Sequence, residues 1–187
     1  MYLKYKINAV NRVFRQADAC VASFQNRSKL SCLPGCSLCC QKKNIEATIL
    51  EFLPAAYHLY LSGKYHDVLD DIENRLDGLC VFYNPFSNEG SCSLYQNRGL
   101  VCRLFGFSKK TDKQDSHILI TCRQIKEHYN IDNIRNKLIH APEISSFYLK
   151  LYGIDPKLVV HYSPINEAVK AALEIVLLHF KYTKKPA

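Results

Sequence analysis

Ser31-Cys32-Leu33-Pro34-Gly35-Cys36-Ser37-Leu38-Cys39-Cys40 is the stretch that decides how this chain is read. Two residues between Cys36 and Cys39 is the spacing at which a tight turn brings two sulfurs onto one metal ion. The turn residues Pro34-Gly35 let Cys32 join them from the preceding segment. A lone CxxC is a modest signal, but Cys80, Cys92, Cys102 and Cys122 follow it. Adjacent side chains diverge along extended backbone, which makes it hard for Cys39 and Cys40 to bind one tetrahedral ion together. Either one of the two is a spectator or the pair serves two neighbouring ions. With Cys20 set aside, eight of the nine cysteines remain, enough for two four-thiolate sites.

That many cysteines would form disulfides only in an oxidising compartment. Met1-Tyr2-Leu3-Lys4-Tyr5-Lys6-Ile7-Asn8 contains no continuous apolar run of the secretory kind. The longest apolar stretch, Val169 to Phe180, is interrupted by Lys170, Glu174 and His179 and is too short to span a bilayer. The expectation is a cytoplasmic protein with no membrane span, in which clustered cysteines are metal ligands or redox groups.

Upstream of the cluster, Leu3, Ile7, Val10, Phe14, Ala17, Val21 and Phe24 mark one face of a helix running to about Arg27. Cys20 lies beside this stripe and reads as a small buried hydrophobe. Downstream, Ile49, Phe52, Leu53, Ala56, Leu59 and Tyr60 predict a second helix. Thr48 and Glu51 have capping-box spacing, although Pro54 argues for a slightly later start. Val68, Leu69, Ile72 and Leu76 predict a third, stopped by Gly78.

Leu79 to Tyr83 and Ser91 to Tyr95, separated by a turn-prone stretch from Asn84 to Gly90, predict a short hairpin with one cysteine on each arm. Tyr95 is expected to pack across it. Lys109 to Ser116 reads as a polar loop leading to a helix that opens near Thr121-Cys122. Asp132 or Asn133 can cap a segment through Ile139, and Pro142-Glu143 opens another through Tyr152. Ser163-Pro164 reads as an N-cap and first helical position, opening a last helix with Ile165, Val169, Ala172, Leu173, Val176, Leu177 and Phe180 on its apolar face.

The fold expected is mostly α with a small β-hairpin, the cysteine-rich loops packed on a helical body. Residues 1–30 form an N-terminal amphipathic helix, 31–130 a cysteine-cluster metal-binding domain, and 131–187 a C-terminal helical extension. A chain of 187 residues that is 48% hydrophobic has material for a core and no compositional sign of disorder.

Several stretches together resemble a known family. They are Cys32-x3-Cys36-x2-Cys39-Cys40, a helix carrying Glu51, Cys80, and Cys92-Ser93-Leu94-Tyr95-Gln96-Asn97-Arg98-x3-Cys102-Arg103. Cys122, at the head of a basic helix ending in His128-Tyr129, fits as well. This pattern resembles the YkgJ-type cysteine-cluster family over residues 31 to 130. Gly99 stands where that family often has proline, and the first cysteine pair is spaced by three residues rather than two. The resemblance implies a bound Zn2+ or iron, with Cys32, Cys36, Cys39, Cys40, Cys80, Cys92, Cys102 and Cys122 as the candidate metal ligands. It also extends to flagellin lysine N-methylases, whose similar cysteine set implies an iron–sulfur cluster. The methylase activity does not transfer, because the chain is short and has no Gly-rich nucleotide motif.

Arg98, Arg103 and Arg123 lie within four residues of Cys102 or Cys122, where cations would offset the negative charge of thiolates. Of the seven histidines, His117 and His128 flank Cys122 and are the first to be considered as further ligands. The net charge of +8 comes from scattered basic residues. The one dense run, Lys181-Lys184-Lys185, sits near the C-terminal end. With no aromatic–basic motif, a nucleic-acid partner is the weaker reading, testable through salt dependence. A protein partner, an iron or iron–sulfur enzyme and a thiol switch on Cys39-Cys40 stay open.

Overall fold

A computed structural model of the chain describes residues 2–32, 36–43, 45–75, 77–86 and 92–183, apart from the side chain of Asp132. The turn expected at Pro34-Gly35, Leu76 of the third helix, Ser87 to Ser91 of the expected hairpin, and Lys184-Lys185 lie outside these residues.

Helix α1 (Tyr2–Ser28) buries Leu3, Ile7, Val10, Phe14, Ala17, Val21 and Phe24, the stripe anticipated from their spacing. It ends where Lys29 turns into the left-handed region at φ 65° and its N–H reaches Gln25 O at 2.8 Å. Cys20 departs from expectation. It falls on the outer face of α1 and is exposed, so neither core packing nor the cysteine cluster involves it.

Helix α2 (Ile49–Leu61) starts where Thr48 and Glu51 placed it, and Pro54 lies inside it rather than delaying it. The Glu51 carboxylate folds back to accept the Thr48 N–H at 2.8 Å, so the first turn is held without help from residue 54. Pro54 removes one helical N–H, and the complete burial of Leu50, Leu53 and Ala55 around it offsets that loss. Helix α3 (Tyr65–Asn74) follows, ending ahead of Gly78.

Two short ribbons complete the frame. Strand β1 (Glu46–Thr48) pairs antiparallel with β4 (Tyr162–Pro164), Ala47 opposite Ser163. Ser163 and Pro164 therefore belong to a strand, and the last helix, α7 (Ile165–Thr183), begins after them. The ribbon sets the starts of α2 and α7 side by side. The two helices then pack along their length, with Phe180 stacked on Tyr60 at 4.5 Å and Tyr57 at 5.8 Å between ring centroids.

The small hairpin is present but lies elsewhere than expected. Strands β2 (Ser108–Thr111) and β3 (His117–Ile120) pair in the segment read as a polar loop. Gly106, at φ +96°, makes the left-handed turn from α4 (Leu100–Leu104) into β2. Among the described residues, the segment around Cys80 and Cys92 contributes an isolated bridge between Tyr83 and Cys92, seconded by the Ser93 N–H to Phe82 O at 2.8 Å. Helix α5 (Arg123–His128), a 3-10 helix (Ile131–His140) in place of the expected α-helical segment, and α6 (Ile144–Tyr152) follow. Among the described residues no helix is long and apolar enough to cross a membrane.

Candidate metal centre

Several local devices place the candidate cysteines. Cys39 and Cys40 occupy a turn closed by the Cys40 N–H to Ser37 O at 2.8 Å, not extended backbone. The constraint anticipated for adjacent residues is thereby lifted: their sulfurs stand 3.9 Å apart. Two sulfurs on one tetrahedral zinc, with Zn–S near 2.3 Å, are separated by about 3.8 Å. Cys122 is the N-cap of α5, and its sulfur accepts the Ile125 N–H at 3.5 Å. Ser31, next to Cys32, meets the hydroxyl of Tyr129 at the other end of α5 at 2.9 Å, which ties the first cysteine to the Cys122 helix.

Cys80 is held by a residue that sequence reasoning missed. The side-chain amide of Asn166, in the first turn of α7, accepts the Val81 N–H and donates to Leu79 O, both at 2.8 Å. It clamps the backbone on either side of Cys80, which also receives an Arg75 guanidinium hydrogen bond on its carbonyl at 3.0 Å.

Cys102 lies in α4, and α4 is anchored through Glu51. That carboxylate is fully buried and accepts from the Thr48 N–H, the Thr48 hydroxyl, the Val101 N–H at 2.7 Å and the Tyr148 hydroxyl at 3.4 Å. Burial pushes its pKa up against the pull of these donors. Gly99 permits this approach: a Cβ there would lie 2.8 Å from Phe52 Cζ and 3.0 Å from Glu51 Oε2.

Six of the eight cysteines are shifted by burial and by one another. Burial raises Cys32 to about 11, helped by the negative charge of Cys39, Cys122 and Cys36. Burial likewise raises Cys80 to about 11, with Cys92 and Cys39 adding to it. Cys102 is pushed far up by burial and then by Cys80, Glu51, Cys92 and Cys39. The Cys39–Cys40 pair shares a hydrogen bond that eases loss of its first proton and opposes loss of the second. Cys32 senses Cys122 and Cys36, whereas Cys40, Cys80 and Cys102 sense Cys92, and all four sense Cys39. The backbone N–H groups of Phe82 and Leu94 favour the thiolate forms of Cys80 and Cys92, against the larger effect of burial. Such donors stabilise thiolate over thiol. Among the described residues, no three Cys, His, Asp or Glu side chains are already gathered in position to hold one ion.

The three arginines separate in role. Arg98 faces the cluster and favours the thiolate forms of Cys32, Cys39 and Cys92. Its guanidinium covers the ring of Tyr95 at 4.1 Å, so exposed Tyr95 packs under Arg98 and not across a hairpin. Arg103 is a buried tie to α1: it pairs with Asp18, lies over Phe14 at 4.5 Å, and donates to Gln96 O and Arg98 O at 2.6 and 2.9 Å. Arg123 is exposed and pairs with Glu127. The first-considered histidines do not join the cysteines. Both ring nitrogens of His117 are engaged, Nε2 with Lys109 and Nδ1 with Thr111, each at 3.2 Å, and His128 stands edge-on to Tyr129.

No curated protein and no solved structure matches the chain. A family model, CxxCxxCC, described as a putative zinc- or iron-chelating domain, matches residues 31–125, which run from the residue before Cys32 into the first turn of α5. The chain carries that model's cysteine pattern across half its length and belongs to the CxxCxxCC family.

Proposed function

We propose that the chain binds zinc or iron through Cys32, Cys36, Cys39, Cys40, Cys80, Cys92, Cys102 and Cys122, as two adjoining four-thiolate sets that meet at Cys39-Cys40. The observation that carries this reading is the turn that sets the Cys39 and Cys40 sulfurs 3.9 Å apart, the spacing of two ligands on one ion, among further cysteines whose pKa values burial and neighbouring sulfurs raise. Burial and like charge favour the thiol forms of Cys32, Cys80, Cys92 and Cys102; a divalent cation among them would reverse both effects and favour thiolate. Loading therefore includes a closing of the cysteine loops around the ion. Among the described residues, 36–40 carry no helix or strand that would resist this.

The role this supports is metal holding, structural or for transfer of metal or electrons, with the helical frame as the rigid support. Cobalt(II) is the probe that tests the ligand set. The intact chain titrated with Co2+ is expected to develop thiolate-to-metal charge-transfer absorption and intense tetrahedral d–d bands, which zinc then displaces. Weak octahedral absorption alone would count against thiolate ligation. An iron–sulfur enzyme is the second reading, favoured only by the wealth of thiolates, which suits either centre.

A further inference from the structure

We propose that a second site, distinct from the cysteine cluster, binds a phosphate group in the cavity between strand β3, helix α5 and the 3-10 helix. This cavity of about 230 Å³ is lined by His117, Thr121, Lys126, Arg135, Leu119 and Leu138 among others. Its volume suits a phosphate together with part of an attached organic group.

Three independent observations point to an anion. Lys126 and Arg135 both line the cavity from different elements, and neither forms an ion pair with a described carboxylate. Behind them, Lys109 is buried at 7% exposure, and the described partners of its ammonium are neutral: His117 Nε2 at 3.2 Å and the carbonyl of Ile139 at 3.3 Å. Glu143, whose backbone bridges to Lys109, turns its carboxylate instead to the hydroxyls of Thr111 and Ser145, at 2.8 and 3.3 Å. Lys109 reaches the Glu143 carboxylate through His117 and Thr111 and not directly, and an anion lodged in the cavity would supply a further counter-charge. Finally, the Thr121 hydroxyl, on the cavity wall, is shut from solvent without a hydrogen-bond partner. It is a donor that an anionic oxygen would satisfy once the wall opens to admit it.

The hydrogen-bond chain orients this apparatus. With the Lys109 ammonium donating to Nε2, the His117 Nδ1–H donates to Thr111 Oγ1, and the Thr111 hydroxyl donates to Glu143. His117 is thus a fixed wall group with both ring nitrogens engaged, and none is left for a metal. The mixture of guanidinium, ammonium and hydroxyl donors around a small cavity is what a tetrahedral oxyanion needs. Apolar Leu119 and Leu138 on the same wall leave room for the carbon skeleton of a phosphomonoester.

Isothermal titration of the full chain, at constant ionic strength in chloride, with inorganic phosphate and separately with phenyl phosphate tests this. Saturable one-to-one binding is expected, weakened at least tenfold in Lys126→Ala/Arg135→Ala and changed less than twofold in Arg12→Ala, an exposed α1 control. Tighter binding of phenyl phosphate would identify an organic phosphomonoester as the occupant; equal binding would identify free phosphate. Heat that does not saturate, or binding that the double variant retains, overturns the proposal. Both altered residues are exposed, so circular dichroism of the variant should match that of the parent chain. The metal content of both is measured in parallel and is expected to be equal.

Discussion

Replacing Gly99 by alanine tests whether α4 docks on α2 as closely as the geometry requires. The backbone at Gly99, φ −64° and ψ 170°, is open to any residue, so conformation alone predicts a gain. Gly→Ala at such a position stabilises by about 0.4–1 kcal/mol through the unfolded chain. The packing says the opposite: the added Cβ would meet Phe52 Cζ at 2.8 Å, Phe52 Cε2 at 3.1 Å and Glu51 Oε2 at 3.0 Å. Phe52 and Glu51 are 1% and 0% exposed and cannot swing aside. Overpacking of this kind costs about 2–3 kcal/mol, the upper part of its usual range. The net loss is then about 1–2.5 kcal/mol, or ~2–10 °C in Tm for a chain of this size. Thermal unfolding by circular dichroism reads it directly. A Gly99→Ala chain as stable as its parent, or more stable, would refute the close approach and with it the account of how Glu51 anchors Cys102.

Other outcomes follow from the same contacts. Glu51→Gln should change the pH dependence of stability. A carboxyl whose pKa is raised in the folded state adds stability at pH values below its unfolded pKa and loses it as pH rises through the folded one. The destabilisation caused by Glu51→Gln is therefore expected to shrink as pH rises, and urea unfolding across pH 5 to 8 would contradict this if it stayed constant or grew. Asn166→Ala strips the Val81 N–H and Leu79 carbonyl of their partner, a loss of about 1–3 kcal/mol, and should speed metal loss to a chelator because Cys80 is no longer clamped; unchanged release would assign Asn166 no role at the site. Cys102→Ser should lower bound metal per chain, whereas exposed Cys20→Ser should leave it unchanged, as elemental analysis of the two variants would show.

Much of this was legible in the residues, for reasons that particular elements make plain. Helix α1 announces itself because seven apolar residues repeat at helical spacing over 27 residues, long enough for periodicity to outweigh accident. The cysteine motif is equally plain because its signal is chemical identity at fixed spacing. What stayed hidden was short or distant. The β1–β4 ribbon has strands of three residues, below the length at which alternation can be recognised, and pairs residues 116 apart at Ala47 and Ser163. Its Ser163-Pro164 mimics a helix start well enough that only the pairing with Ala47 distinguishes the two. The β2–β3 hairpin was obscured because Lys109 and Lys110 read as loop, although Lys109 is buried and its amine bonds inward. Asn166 carries no sequence signal at all: its role exists only because α7 passes the Cys80 loop. Arg103 gave a partial signal, as the arginine after Cys102, but its partner Asp18 lies 85 residues away, so proximity in sequence assigned it to the cluster instead of to α1.

The central claim is that the cysteine cluster binds a metal, and elemental analysis with a visible absorption spectrum, on protein purified without oxygen, tests it most directly. One or two zinc or iron ions per chain, lost together with the cluster cysteines on substitution, is the predicted result. Colourless zinc protein would point to a structural or metal-handling role, and brown protein with iron and acid-labile sulfide to a redox centre. A folded chain carrying no zinc and no iron, and unchanged in stability when either is offered, would contradict the account.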